Sequence, residues 1–243
     1  MSRPSLRRGP GLVVIAAAVA VLIAAASAGY AVFRVRQHEA SELRASGIPA
    51  SVSTSLANLM QLSPVPVTSA PGFTLTDQGG QTTSLAGLKG HVVVLEFMDP
   101  HCTDICPIVS QEFLDAYRDL GASAPRVVFL AVNVNRYHLR VADVAAFSSE
   151  QRLTQIPAWH FLTGSYPSLQ AVWQAYQIQV DAPGPDADVI HSSQMYFIDP
   201  RGRERFLADP MVDHTASGSS YLPANQLASW SQGIALVARQ LAA

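Results

Sequence analysis

The order of apolar and polar positions divides the chain into three textures. Leu12 to Phe33 is an uncharged run rich in Ala, Val, Leu and Ile. As a helix it is about 33 Å long, enough to cross the hydrocarbon core of a bilayer. Residues 34–70 hold Ser, Ala and Pro without a sustained period and read as a flexible stalk. From Pro71 to the end, residues 71–243, short apolar runs alternate with helical spacings.

Phe73-Thr74-Leu75-Thr76 and Gln81-Thr82-Thr83-Ser84-Leu85 flank Asp77-Gln78-Gly79-Gly80, which predicts a β-hairpin. His91 to Phe97 is almost continuously apolar, as a strand buried on both faces must be. Pro107 suits the first position of a helix whose inner face is Val109, Phe113, Leu114, Tyr117 and Leu120, with Gly121 at its end. A second buried strand follows at Val127–Val132, then a helix around Val141–Phe147 and a short strand at Trp159–Leu162. Leu169, Val172, Trp173 and Tyr176 mark another helix. Met195–Ile198 and Arg205–Leu207 form a second hairpin across Asp199-Pro200-Arg201-Gly202. Leu227, Trp230, Ile234, Val237 and Leu241 keep helical spacing to the end. This alternation predicts a mixed α/β sandwich.

Charge refines the picture. Arg3, Arg7, Arg8, Arg34 and Arg36 are the only charges in the first 36 residues. Residues 1–11 therefore read as a basic segment kept in the cytoplasm, ahead of a membrane anchor at 12–33. Ala26-Ser27-Ala28 offers the alternative of a cleaved signal peptide. Either way the folded domain is exported, on a single-pass anchor in the first reading. The rest of the chain carries all 18 acidic groups against 11 basic ones. An acidic domain lacks the clustered cations that phosphate contacts need, so nucleic acid is excluded as a partner.

Two cysteines are too few for a disulfide scaffold, and they sit four residues apart in Met98-Asp99-Pro100-His101-Cys102-Thr103-Asp104-Ile105-Cys106-Pro107. The segment joins a buried strand to a helix, where open α/β folds place their ligands. With Pro107 as the first helical residue, Cys106 faces unpaired N–H groups that favour its thiolate. Helical neighbours at i and i+4 hold their Cβ atoms ~5–6 Å apart, wider than the ~3.5–4.5 Å of a disulfide. Two thiolates on one metal tolerate that spread, and thiolates select Cu(I). A disulfide requires the loop at Cys102 to bend inward. A structural staple over so short a loop contributes at most about 2 kcal/mol. Metal binding, thiol redox chemistry and an inert pair all remain open on spacing alone.

The context of the pair resembles the SCO/SenC proteins. The resemblance rests on HCTDICP after an apolar strand, on Trp159-His160-Phe161-Leu162-Thr163-Gly164, and on Asp188-Val189-Ile190-His191 before a strand ending Ile198-Asp199. It covers about Pro71 to Leu207. It implies a thioredoxin-like fold, a mixed sheet flanked by helices, with an N-terminal hairpin beside the transmembrane helix read above. It implies a copper chaperone with Cys102, Cys106 and His191 as ligands of Cu(I) or Cu(II), serving an exported copper protein such as cytochrome c oxidase subunit II. The alternative is a membrane-anchored thiol–disulfide oxidoreductase in which Cys102 and Cys106 are the redox-active pair. One segment departs from the family. Its usual Val-Asp-Pro-x-Arg-Asp is replaced by Val132-Asn133-Val134-Asn135-Arg136-Tyr137, so Asn133 and Tyr137 stand at acidic positions.

The remaining candidates read as structural or solvated. His101 beside Cys102 reads as a solvated or positioning side chain, with a fourth copper ligand as the alternative, His160 as a strand residue, and His38, His138 and His214 lie in polar surroundings. Asp181, Asp186 and Asp188 form a solvated turn cluster, and Met211 with His214 is an incidental pairing.

Overall fold

The computed structural model describes residues 10–45 and 47–243, so the basic segment with Arg3, Arg7 and Arg8 lies outside the described residues. Two compact units are present, Met1–Ser46 and Gly47–Ala243. The first consists of a 36-residue helix, α1 (Pro10–Ala45). It spans about 54 Å at 1.5 Å per residue, so it runs well past Phe33 into what reads as stalk. Val14, Ile15, Leu22 and Phe33 on it are exposed. Among the described residues it is the one helix long and apolar enough to cross a membrane.

In the second unit the chain runs α2 (Thr54–Leu59), β1 (Ser63–Pro64), the hairpin β2 (Thr74–Thr76) and β3 (Thr82–Ser84), then β4 (Val92–Met98). It continues through α3 (Ile105–Leu120), β5 (Val127–Asn133), α4 (Val141–Glu150), β6 (Trp159–Leu162) and α5 (Tyr166–Ala175). Short strands β7 (Val180–Asp181) and β8 (Ile190–His191) precede β9 (Met195–Ile198) and β10 (Glu204–Ala208). A small ribbon, β11 (Asp213–His214) and β12 (Ser220–Tyr221), leads to α6 (Ala224–Ala242).

Six strands form one sheet in the order β1-β10-β9-β4-β5-β6. β4, β5 and β6 are parallel, whereas β9 is antiparallel to β4 and β10 to β9. Every residue of β4 and β5 is buried, which explains why both strands read as nearly continuous apolar runs, broken only by Glu96 and Asn133. Val93, Leu95 and Phe97 pack with Trp173 of α5, with Tyr176 just after it and with Leu75 of the first hairpin. On the opposite face Phe113 of α3 lies 5.2 Å from Phe129 and 6.0 Å from Trp159, ring centre to ring centre. α6 packs along α3 and also touches α2 and β4.

The stalk expectation for 34–70 does not describe its second half. Ile48, Val52, Leu56, Met60 and Leu62 are buried. Ser63 and Pro64 pair with Leu207 and Phe206, and Ala70 N–H donates to Gly202 O at 3.0 Å. The segment holds α2 and the edge strand β1, where Pro and Ser cost little because one side of the backbone need not pair. Its apolar residues are buried without repeating often enough to show a period.

Candidate metal centre

The carboxyl end of β4 builds the site. Asp99 Oδ1 accepts hydrogen bonds from His101 N at 2.8 Å and from Asn135 Nδ2 at 3.0 Å, and Cys102 N donates to Asp99 O at 3.1 Å. These bonds fold residues 99–102 into a turn that points Cys102 at the start of α3. The helix begins at Ile105, so Cys106 lies inside its first turn, not ahead of it. Asp104 provides no side-chain cap and instead accepts from Ser220 N at 3.0 Å. Cys106 N–H donates to Cys102 Sγ at 3.3 Å, so sulfur takes the place of a capping oxygen.

The two thiols, both reduced, differ sharply. Cys102 is pulled down to about 7, first by the hydrogen bond from the Cys106 thiol, then by the N–H groups of Cys106 and Asp104, against partial burial. Cys106 is driven well above the ordinary thiol range, because the same bond keeps its proton in place and burial adds to that. Sequence spacing assigns the thiolate to Cys106. The helix start two residues earlier gives it to Cys102, which accepts the helix's free N–H while Cys106 sits in the apolar interior.

His191 reaches the same end of the sheet through topology. β9 runs antiparallel to β4 with Leu95 opposite Tyr196, so the chain just before Met195 passes the end of β4. His191 lies there on β8, opposite Val180. Its Nδ1 is 3.0 Å from Ser192 O. A carbonyl only accepts, so Nδ1 carries the proton and Nε2 keeps a lone pair for a metal. Burial lowers the affinity of this ring for a second proton, with the Asp99 charge opposing. Asp99 also bears on both cysteines. The ligand atoms of Cys102, Cys106 and His191 nevertheless do not all come within 4.8 Å of one another; among the described residues the set that does is His101, His138 and Asp143.

That second cluster escaped sequence reasoning. His101 follows β4 and His138 follows β5, and parallel neighbours end on the same side of a sheet. Their rings stack with centres 3.5 Å apart. Asn133, fully buried, donates from Nδ2 to His138 O at 2.7 Å and accepts from Asn135 N at 2.7 Å. Asn135 Oδ1 in turn accepts from Tyr137 N and His138 N, at 2.9 and 3.3 Å. Asn133 at a position acidic in the family thus folds the loop that carries His138. His101, Cys102 and Asp143 share a cleft of about 500 Å³ with Pro107 and Phe147.

The other singled-out residues lie elsewhere. His160 Nδ1 bonds Asp77 Oδ2 at 3.1 Å beneath the first hairpin. Met211 Sδ meets Gln61 Nε2, and His214 belongs to β11. Asp181, Asp186 and Asp188 are exposed.

The SCO1/SenC family model matches residues 65–217, more than half of the chain. A SCO1 protein homolog of Bacillus subtilis is 28% identical over 133 residues, covering 54% of this chain and 68% of its own. The mitochondrial SCO2 homolog of Bos taurus is 30% identical over 136 residues, again 54% of this chain but half of the relative. Among solved structures, Arabidopsis thaliana ScoI with copper bound superimposes with a TM-score of 0.54 at 22% identity, over 71% of this chain and 99% of that one. At that identity the likeness shows the fold, a mixed sheet flanked by helices.

Proposed function

The chain belongs to the SCO1/SenC family, and on that premise we propose that it is a copper chaperone whose cargo is held by Cys102, Cys106 and His191. The observation that carries the reading is the reduced pair at the start of α3. The thiolate of Cys102 is made at neutral pH, and His191 on the same sheet end keeps Nε2 free. Two sulfurs and one imidazole are a donor set that copper favours in either oxidation state. Closing the set requires the three ligand atoms, which do not all lie within 4.8 Å of one another, to draw together around the ion. Cys102, partly exposed, is the first thiolate to meet or release the ion, and buried Cys106 loses its proton as the metal binds. The client is an exported copper protein, cytochrome c oxidase subunit II by the family resemblance. Pro10–Ala45 anchors the chain in the cell membrane with Gly47–Ala243 on the extracytoplasmic side.

A second reading is favoured by the inequality of the thiols. A low thiol beside a high one suits thiol–disulfide exchange. Cys102 attacks a client disulfide and forms a mixed disulfide. Cys106 then gives up its proton and displaces the client dithiol, leaving Cys102–Cys106 oxidised.

Anaerobic copper titration of the detergent-solubilised chain separates the two. The chaperone binds one thiolate-ligated copper per chain, with a Cu(II)–thiolate absorption lost in each of Cys102→Ala, Cys106→Ala and His191→Ala. Wild-type affinity in His191→Ala, with reductase activity lost in both cysteine variants, favours the oxidoreductase.

A further inference from the structure

We propose that His101, His138 and Asp143 form a second, thiolate-free site for a divalent transition-metal ion, at the mouth of the cleft that holds Cys102. One ligand atom from each of the three lies within 4.8 Å of the other two, close enough for a shared ion to draw them in. The residues come from three separate places: the turn after β4, the loop after β5 and the first turn of α4. Chain proximity alone does not gather them.

Each ligand is prepared in a different way. His138 Nε2 lies 3.1 Å from Pro185 O. The carbonyl can only accept, so Nε2 holds the proton and Nδ1 presents its lone pair, the outer bond that fixes a metal-binding tautomer. The Asn133 and Asn135 side chains hold the backbone on both sides of that ring, so the ligand stands on an ordered loop. Asp143 is buried, and its carboxyl is held below the ordinary range. Burial alone opposes this, but Arg140 outweighs it through side-chain and backbone hydrogen bonds and charge, with His138 adding to it. Arg140 Nη2 sits 2.7 Å from Asp143 Oδ1, on an otherwise exposed side chain free to swing away when a cation takes its place. His101 is exposed and can turn its ring out of the stack to chelate.

Two imidazoles and one carboxylate suit Cu(II) or Zn(II) and give no preference to Cu(I), which wants sulfur. Oxidation of Cys102 and Cys106 leaves this set intact. The site therefore holds a divalent ion next to Cys102 in both redox states of the pair, independently of the thiolate centre proposed above.

The test uses the full chain in detergent with Cys102→Ser and Cys106→Ser together, which removes the thiolate centre. Cu(II) is titrated and followed by electron paramagnetic resonance. One equivalent with nitrogen hyperfine structure and no thiolate absorption is expected. His101→Ala and His138→Ala should each weaken it by more than about tenfold, a loss that even an outer-sphere partner produces. His191→Ala and His214→Ala in the same background should leave it unchanged. Asp143 also receives the Arg140 N–H at the start of α4, so its Asn variant is read only if circular dichroism shows a native fold. Binding that survives both His101→Ala and His138→Ala, or that is lost with His191→Ala instead, overturns the proposal.

Discussion

Two residues carry unusual protons, one at the site and one in the core, and each yields a measurable consequence. Cys102 titrates near 7 because the Cys106 thiol and two backbone N–H groups stabilise its thiolate. Alkylation by iodoacetamide should modify Cys102 alone, with a rate that rises through a midpoint near pH 7. Cys106→Ala removes the largest stabilising contact and should move that midpoint toward the free-thiol value of ~8.5. A midpoint unmoved by Cys106→Ala would show that the helix N–H groups suffice. The second residue is Glu96 on β4, fully buried and raised to about 8 by desolvation, with the Asp209 charge adding to it and a hydrogen bond from Phe97 N–H opposing. Buried Glu112 of α3 is raised too, by burial and by Glu96. A carboxyl whose folded value lies above its unfolded one keeps its proton in the native state and loses it on unfolding. Stability must therefore fall as pH climbs from about 4.5 towards 8, by something on the order of 3–5 kcal/mol for a group so placed. Glu96→Gln should flatten that dependence in urea melts recorded across the range. The sequence exposed the cysteines, their spacing and, by resemblance, His191. It hid the unequal thiols, because these turn on a helix beginning two residues before Pro107, and element ends are set by hydrogen bonds that spacing does not reveal.

At the scale of elements, strong periodicity was a reliable guide. β6 falls on Trp159–Leu162 as its apolar run predicts, and both hairpins and the last helix stand where their patterns place them. Residues 47–70 were illegible for a physical reason. Their contribution is a single short helix and an edge strand, wedged against α6 through Leu56 and Met60. Gly233 makes that contact possible, since a Cβ there would lie 2.2 Å from Met60 Sδ and 3.2 Å from Leu56 Cδ1. Gly233→Ala gains about 1 kcal/mol of helix propensity but overfills a fully buried contact at about 1–3 kcal/mol. A net loss of stability in thermal melts is expected, relieved by the added Met60→Ala.

The whole molecule divides after Ser46, not at Pro71. A fragment of residues 47–243 should fold and melt cooperatively. One of residues 71–243 strips the cover from α6 and the pairing from β10, so it should melt at least several degrees lower or aggregate. Equal melting of the two would show that residues 47–70 contribute no stability. The same scale joins strand ends that are far apart in sequence. β4, β5 and the antiparallel β9 bring the cysteine turn, the His138 loop and the His191 hairpin to one end of the sheet, a convergence that no linear motif encodes.

X-ray absorption at the copper edge of the Cu(I)-loaded chain tests the central claim most directly. Two sulfur neighbours and one nitrogen neighbour are expected, with the nitrogen lost in His191→Ala and retained in His101→Ala. A first shell unchanged by His191→Ala, or one without sulfur, contradicts the assignment of Cys102, Cys106 and His191 as the ligands.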